Sequence, residues 1–147
     1  MNYYIADIHL QHKNIIKHEN YDAERRGGFY PFNNTEARDK AILNDWKRRI
    51  ARKDNVYIVG DLSLSSHIKG MADILATLPG RKHIILGNHD RNNYTDLMNY
   101  QNAHVVSVDQ LKTISDNGVT VVLCHFPILF WEHQHKGSVL LYGHVHD

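Results

Sequence analysis

A single cysteine, Cys124, stands in a chain of 147 residues. An internal disulfide is therefore excluded, and so is a thiolate cluster around a metal. No apolar run approaches the ~18 residues that a membrane-spanning helix requires. Charge of one sign is also missing: 17 Lys and Arg face 16 Asp and Glu, a formal net charge of +1. That balance gives no bulk basic field for holding nucleic acid. The start, MNYYIADIH, lacks a basic segment followed by a long apolar stretch, and it reads as a core strand rather than a leader. Repeats, low-complexity tracts, coiled-coil heptads and lipidation motifs are absent as well. With 42% hydrophobic and 22% charged residues the composition is that of an ordinary globular chain. The expectation is one cytoplasmic domain over residues 1–147.

What the chain has in surplus is histidine, at twelve residues. Their placement depends on the elements. Residues 2–8 read as a buried strand, 55–60 as a second and 81–87 as a third. Further strands are expected over 103–108, 112–115, 119–124 and 138–142, with Asp116-Asn117-Gly118 as a hairpin turn. Helices are expected over about 13–19, 35–52, 66–78 and 93–100. In the second of these, Ile42, Trp46 and Ile50 recur every four residues and define a buried face. Asn34 is its expected N-cap. Between the first two helices, residues 20–34 read as a loop. Its Arg25, Arg26, Phe29 and Tyr30 are read as mobile surface in preference to a substrate lid. Strands alternating with helices, followed by a hairpin, give an α/β chain with a mixed sheet, and a second sheet packed on the first would fit the late hairpin.

Each strong apolar run ends in metal-ligand chemistry. The first leads into Asp7-Ile8-His9, the second into Gly60-Asp61 and the third into Gly87-Asn88-His89-Asp90. Residues 119–124 run into His125, and the last strand into Gly143-His144-Val145-His146. Ligands of open α/β sheets gather beyond the carboxyl ends of the strands. Residues two apart on extended backbone share a face, so Asp7 with His9, and His144 with His146, can each aim two atoms at one place. Glycine before a ligand allows a sharp turn and a close approach. Alone, each piece has an ordinary explanation: a turn, a helix cap, a surface pair, a satisfied core histidine. Five such pieces, each at a strand end, make coincidence a poor account. Carboxylate, imidazole and amide oxygen without sulfur suit Mn, Fe, Ni, Co or Zn, with Mn favoured. The candidates exceed the needs of one tetrahedral zinc, whereas two divalent ions sharing a bridging carboxylate would use them all.

These residues resemble the calcineurin-like metallophosphoesterases, whose signature runs D-x-H, G-D, G-N-H-D/E, H and G-H-x-H. The resemblance extends from residue 3 to residue 146. Residues 9–16, and His125-Phe126-Pro127 with Trp131, look like the small bacterial and phage members. The family implies a four-layer α/β/β/α sandwich of two mixed sheets and a dinuclear site. Asp7, His9 and His146 would hold the first metal, and Asn88, His125 and His144 the second, with Asp61 bridging. His89, oriented by Asp90, would lie near the metals without binding them.

Two ions about 4 Å apart neutralise phosphate oxygens and turn a water into a nucleophile near neutral pH. His89 is then the candidate acid for the leaving alcohol. His12 is either a contact to substrate phosphate or an exposed helix-start histidine, and Asn88 is a second candidate substrate contact. Arg91 is read as facing solvent, and Trp131 to His135 as a candidate pocket mouth. His18, His67, His83 and His104 match no motif. The chain ends one residue after the last ligand, where members of that family commonly continue. A shortened second sheet and a weakly held first metal are therefore expected.

The activity expected is a metal-dependent phosphoesterase with a small, nucleotide-type phosphate ester as substrate. A phosphodiester is preferred because nothing suggests a cap over the site. Phosphomonoesterase, protein phosphatase or nucleotide pyrophosphatase activity is the alternative at the same site. A non-catalytic metal-binding scaffold is the alternative of another class. Neither a membrane nor nucleic acid is an expected partner, since near-neutral charge gives no support to a nuclease.

Overall fold

The computed structural model describes residues 1–63, 68–90 and 104–146. The expected helix over 93–100, the start of the expected helix at Ser66, His67 and Arg91 lie outside them. Strand β1 covers Asn2–Ile5, followed by α1 (Ile15–Arg25) and α2 (Thr35–Arg49). Then come β2 (Asn55–Val59), α3 (Ile68–Ala76), β3 (Arg81–Ile85) and β4 (Val105–Asp109). The chain continues with β5 (Leu111–Asp116), β6 (Val119–Cys124) and β7 (Val139–Leu141). The result is an α/β protein with two sheets and, among the described residues, three α-helices. None of the described helices is long and apolar enough to cross a membrane.

The first sheet has the order β1-β2-β3-β4, and every pairing in it is parallel. The expectation of two mixed sheets is corrected here: only the second sheet, β5-β6-β7, is mixed. Its β5–β6 pair is antiparallel and its β6–β7 pair parallel. Each connection in the first sheet is a crossover, which gives parallel pairing. The β5–β6 connection is a tight turn in which Asn117 and Gly118 both take positive φ, 49° and 83°. The parallel pairing has a consequence for chemistry. The carboxyl ends of β1, β2 and β3 fall on one edge, and those of β6 and β7 fall together.

Alternation along β2 builds two cores. Val56 and Ile58 face the helices, packing with Trp46, Met71, Leu75 and Leu78. Tyr57 and Val59 face the second sheet, packing with Ile85, Val121 and Leu123. The period of two along a strand requires this division. The chain after His125 includes a one-turn 3-10 helix at Gln134–Lys136. Thr113 of β5 donates to Glu132 of this segment at 2.8 Å. Val122, of opposite parity to Val121 and Leu123, is fully buried.

Helix boundaries differ from expectation: α1 starts at Ile15 instead of Lys13, and α3 ends at Ala76 instead of Leu78. Helix α1 runs on to Arg25 instead of stopping at Glu19, so the loop before α2 begins only at Arg26. It ends in a glycine stop: Gly27 has φ 71°, its amide donates to Glu24, and the Gly28 amide donates to Ala23. Helix α2 ends at Arg49, and Ile50 is already extended at φ −102° and ψ 129°. Asn34 is its N-cap, with the side chain accepting from the Ala37 amide at 2.8 Å.

Candidate metal centre

Beyond Ile5 the first chain segment keeps pairing without regular strand geometry. The Asp7 amide donates to Gly60, His9 to Asp61, and Leu10 to Leu62. This irregular ladder sets the D-x-H segment alongside the Gly-Asp segment. From the second sheet, the Gly143 amide donates to the His125 carbonyl, and the His144 amide donates to both Asp7 oxygens at 3.1 Å. Segments up to 137 residues apart in sequence thus meet at one edge.

Two groups of ligand atoms result. Asp7, His9 and His146 form one, and Asp61, His125 and His144 the other; within each, one atom per residue lies within 4.8 Å of the others. In the first, His9 Nε2 is 3.4 Å from His146 Nε2 and 4.0 Å from Asp7 Oδ1, with His146 Nε2 3.6 Å from the same oxygen. Asp61 Oδ2 stands between the groups, 3.8 Å from His9 Nε2 and 3.4 Å from His125 Nε2. Asn88 Oδ1 is 3.0 Å from His125 Nε2. His9, Asp61 and His125 are buried, whereas Asn88 and His144 are exposed, so the centre opens to solvent on one side.

Backbone strain concentrates here. Nine non-glycine residues among those described have positive φ, and five are candidate ligands: Asp7 (51°), His9 (46°), Asp61 (53°), His144 (71°) and His146 (53°). Such conformations are costly and gather at functional sites. The three preceding glycines answer close approach. A Cβ at Gly60 would strike the His125 ring, one at Gly87 the Asp61 carboxylate, and one at Gly143 the Asp7 carboxylate. Each glycine thus makes room for the ligand of another motif.

Electrostatics fit a cation. Burial, reinforced by the rings of His146, His89 and His12, pushes His9 down to about 4 against the pull of Asp61. Its ring is therefore neutral at pH 7 and keeps a lone pair for a metal. Burial pushes Asp61 up, but the His125 ring and the His89 amide hold it below the ordinary carboxylate range. Burial pushes His125 down, but Asp61 and the Val59 carbonyl win and raise it. Two acceptors, Val59 O at 3.1 Å and Asn88 Oδ1 at 3.0 Å, face its two ring nitrogens. With Nδ1–H held on Val59, Nε2 faces Asn88 and Asp61, where it can meet a cation. That arrangement is the usual one for a ligating histidine. His9 Nδ1, by contrast, is buried without a hydrogen-bond partner among the described residues.

The role expected for Asp90 is corrected. Its fully buried carboxylate accepts from the backbone amides of Asp61 (2.7 Å), Gly87 (2.9 Å) and Leu62 (3.1 Å). It ties the Gly-Asp segment to the Gly-Asn-His-Asp segment. The carboxylate near the His89 ring is that of Asp61, at 3.9 Å. Burial raises Asp90 above its ordinary value, seconded by the charge of Asp61 and opposed by these amides.

His12 meets the site edge-on to His9 at 5.7 Å, and its Nδ1 accepts from the Asn14 amide at 3.1 Å. His18 follows 6.1 Å beyond. His83 lies away from the centre, stacked on Tyr57 at 4.7 Å. The loop after α1 is not loose surface throughout: Arg26 donates to the His146 carbonyl and Tyr30 to Glu19, whereas Phe29 is exposed. Sequence reasoning missed Arg38. This buried arginine donates to the Ile8 carbonyl at 2.7 Å, inside the D-x-H segment.

Fold and site together define an α/β protein with Asp and His groups able to hold metal ions at its strand ends. The chain belongs to the family of the uncharacterized protein MJ1445 of Methanocaldococcus jannaschii, with which it is 30% identical over 145 residues, 98% of this chain and 68% of that protein. It is similar to the gene 66 protein of Mycobacterium phage D29, at 29% identity over 99% of this chain and 78% of that protein. The gene 66 protein of phage L5 is 25% identical over 99% of this chain and 77% of that protein. The crystal structure of AQ665, a protein of unknown function from Aquifex aeolicus, matches with a TM-score of 0.71 at 25% identity, over 99% of this chain and 78% of that one. No family model matches the chain.

Proposed function

We propose that this protein is a calcineurin-like metallophosphoesterase, a hydrolase that cleaves phosphate esters, with phosphodiesters preferred. The observation that carries the reading is the pair of ligand groups flanking one carboxylate, Asp61. Asp7, His9 and His146 would hold one divalent ion, and Asn88, His125 and His144 the other, with Asp61 shared. Two ions there, manganese in this reading, would neutralise phosphate charge and lower the pKa of a nearby water.

The chain's own residues supply the rest. His89 stands at the rim, 40% exposed, with its ring 3.9 Å from Asp61, within reach of a leaving-group oxygen. It gives up the proton that the departing alkoxide needs. His12 accepts at Nδ1 from Asn14, which leaves its proton on Nε2 to donate to a phosphate oxygen. Asn88, exposed at the mouth, offers its amide to the same phosphate. Asp90 acts through Asp61 by fixing that residue's backbone.

The complete α/β/β/α sandwich belongs to the same proposal, with the segment after His125 standing in the place of its fourth layer. So does a cytoplasmic setting, which is consistent with a single, buried, unpaired cysteine. The test is side-by-side turnover of bis- and mono-p-nitrophenyl phosphate by Mn²⁺-loaded protein. Faster release from the diester is expected. The reverse order would make the protein a monoesterase, and hydrolysis of neither despite two bound ions would sink the enzymatic reading.

A further inference from the structure

The D-x-H segment carries its ligands on unusual backbone. Asp7, His9 and Gln11, every second residue, all have positive φ (51°, 46° and 61°). L-residues rarely hold such a series unless the surroundings impose it. On one side the segment is held by the ladder to residues 60–62. On the other it is held by the first turns of α2. Arg38 Nη1 donates to the Ile8 carbonyl at 2.7 Å, Asp39 Oδ2 accepts from the Gln11 amide at 2.7 Å, and Thr35 donates to the His12 carbonyl at 3.4 Å. Arg38 and Asp39 are joined at 3.0 Å, and Glu19 of α1 receives Arg38 Nε and Nη2 at 2.7–3.1 Å.

Arg38 is only 4% exposed. A buried ion pair is a poor source of stability, because desolvating the charges offsets most of their attraction. Such a residue in a helix face that otherwise packs apolar needs another reason. The Ile8 carbonyl supplies one: it sits between the two left-handed ligand residues, in a residue 3% exposed. Without its donor the peptide between Ile8 and His9 keeps only the bond from the His9 amide to the Asp61 carbonyl, and it can tilt about that bond, carrying the His9 ring away from Asp7 and His146.

We infer that Arg38, together with Asp39, is a positioning residue for the first metal group, holding the left-handed backbone of residues 7–11 so that Asp7 and His9 meet His146. This rests on the metal-centre reading above. Its effect falls mainly on this group, because the Asp61, His125 and His144 group does not touch Arg38 or Asp39 among the described contacts and meets residues 7–11 through backbone groups, the His144 amide on Asp7 and the Asp61 carbonyl under the His9 amide.

The experiment is Mn²⁺ binding by equilibrium dialysis with metal analysis, alongside thermal unfolding of the metal-free protein. The His144→Ala background keeps the first group intact, and the His146→Ala background keeps the second. Arg38→Ala is expected to weaken Mn²⁺ binding roughly ten- to a hundredfold in the first background, the usual effect of removing a residue that orients a ligand. In the second background the loss is expected to be at most severalfold. Free guanidinium, filling the space left by the side chain, is expected to restore binding where equal sodium chloride or urea does not. Should Arg38→Ala fail to fold, Asp39→Ala releases only the Gln11 amide and one Arg38 contact, and it should weaken the same site severalfold. If wild type binds two ions and the variants bind them equally well, this inference fails and the metal reading stands. Equal weakening in both backgrounds without guanidinium rescue also overturns it. A wild-type chain that takes up no divalent metal would overturn the metal reading itself, and this inference with it.

Discussion

Gly87→Ala tests whether the two sheet-end segments are packed as tightly as the proposed metal centre requires. A Cβ at Gly87 would sit 2.5 Å from the Asp61 backbone nitrogen and would overlap the Asp61 carboxylate. Ordinary contact begins at 3.4 Å, so the segments must part by roughly 1 Å. Asp90 Oδ2 spans that gap, accepting from Gly87 at 2.9 Å and from Asp61 at 2.7 Å. Parting by that much breaks one of these bonds and leaves a buried amide unpaired. Loss of a hydrogen bond to a charged group costs about 1.5–3 kcal/mol, so a net loss of about 2–4 kcal/mol in unfolding free energy is expected, the upper figure including residual strain. Asp61 also moves by a fraction of that distance relative to His9 and His125. A full 1 Å misplacement costs about a hundredfold in turnover, so a loss of up to about that size is expected. Urea unfolding of the metal-free protein reads the first effect, and Mn²⁺ stoichiometry with turnover reads the second. A Gly87→Ala protein of wild-type stability carrying both ions would refute the packing argument.

Three further outcomes are expected. His89→Asn should retain two Mn²⁺ while losing about two to four orders of magnitude in turnover, as removal of a general acid does; loss of an ion at unchanged rate would reassign the residue. Lys82 is fully buried, donates to the Leu78 and Gly80 carbonyls, and is pushed by burial from 10.5 down to about 8. Between those values only the unfolded chain holds the proton, so stability rises with pH across the window, by at most ~3 kcal/mol. Lys82→Met should lack that rise, and parallel stability–pH curves for the two proteins would contradict it. Asn34→Ala, which removes the acceptor for the Ala37 amide, should lower the urea midpoint by an amount equal to about 1 kcal/mol.

Most of the strands were legible because β-strands advertise both faces, whereas their order and the all-parallel pairing of the first sheet were not. In residues 55–60 a continuous apolar run announced burial on two sides, and the structure assigns Val56 and Ile58 to one core and Tyr57 and Val59 to the other. Candidate ligands were legible because they follow such runs. Helix α1 was cut short because its last two turns, Asn20 to Arg25, bury no residue fully and so carry no apolar period. The stop was nonetheless written in Gly27-Gly28, whose amides close the helix end. The tie made by Asp90 was not legible, since a side chain serving three backbone amides leaves no periodic trace.

Arg38 is the instructive case. Ile42, Trp46 and Ile50 define a ladder of every fourth residue, and one step back along it stands Arg38. Hydrophobic periodicity registers such a position as the point where the buried face ends. The structure has the face continuing, with Arg38 about as buried as Trp46, at 4% against 5% exposed. A charge in a buried register must have acceptors, and in this fold the core-facing side of α2's first turns looks onto the chain leaving β1. A charged residue one step beyond an apolar ladder therefore points to the backbone that the helix end must hold. Here that backbone carries Asp7 and His9.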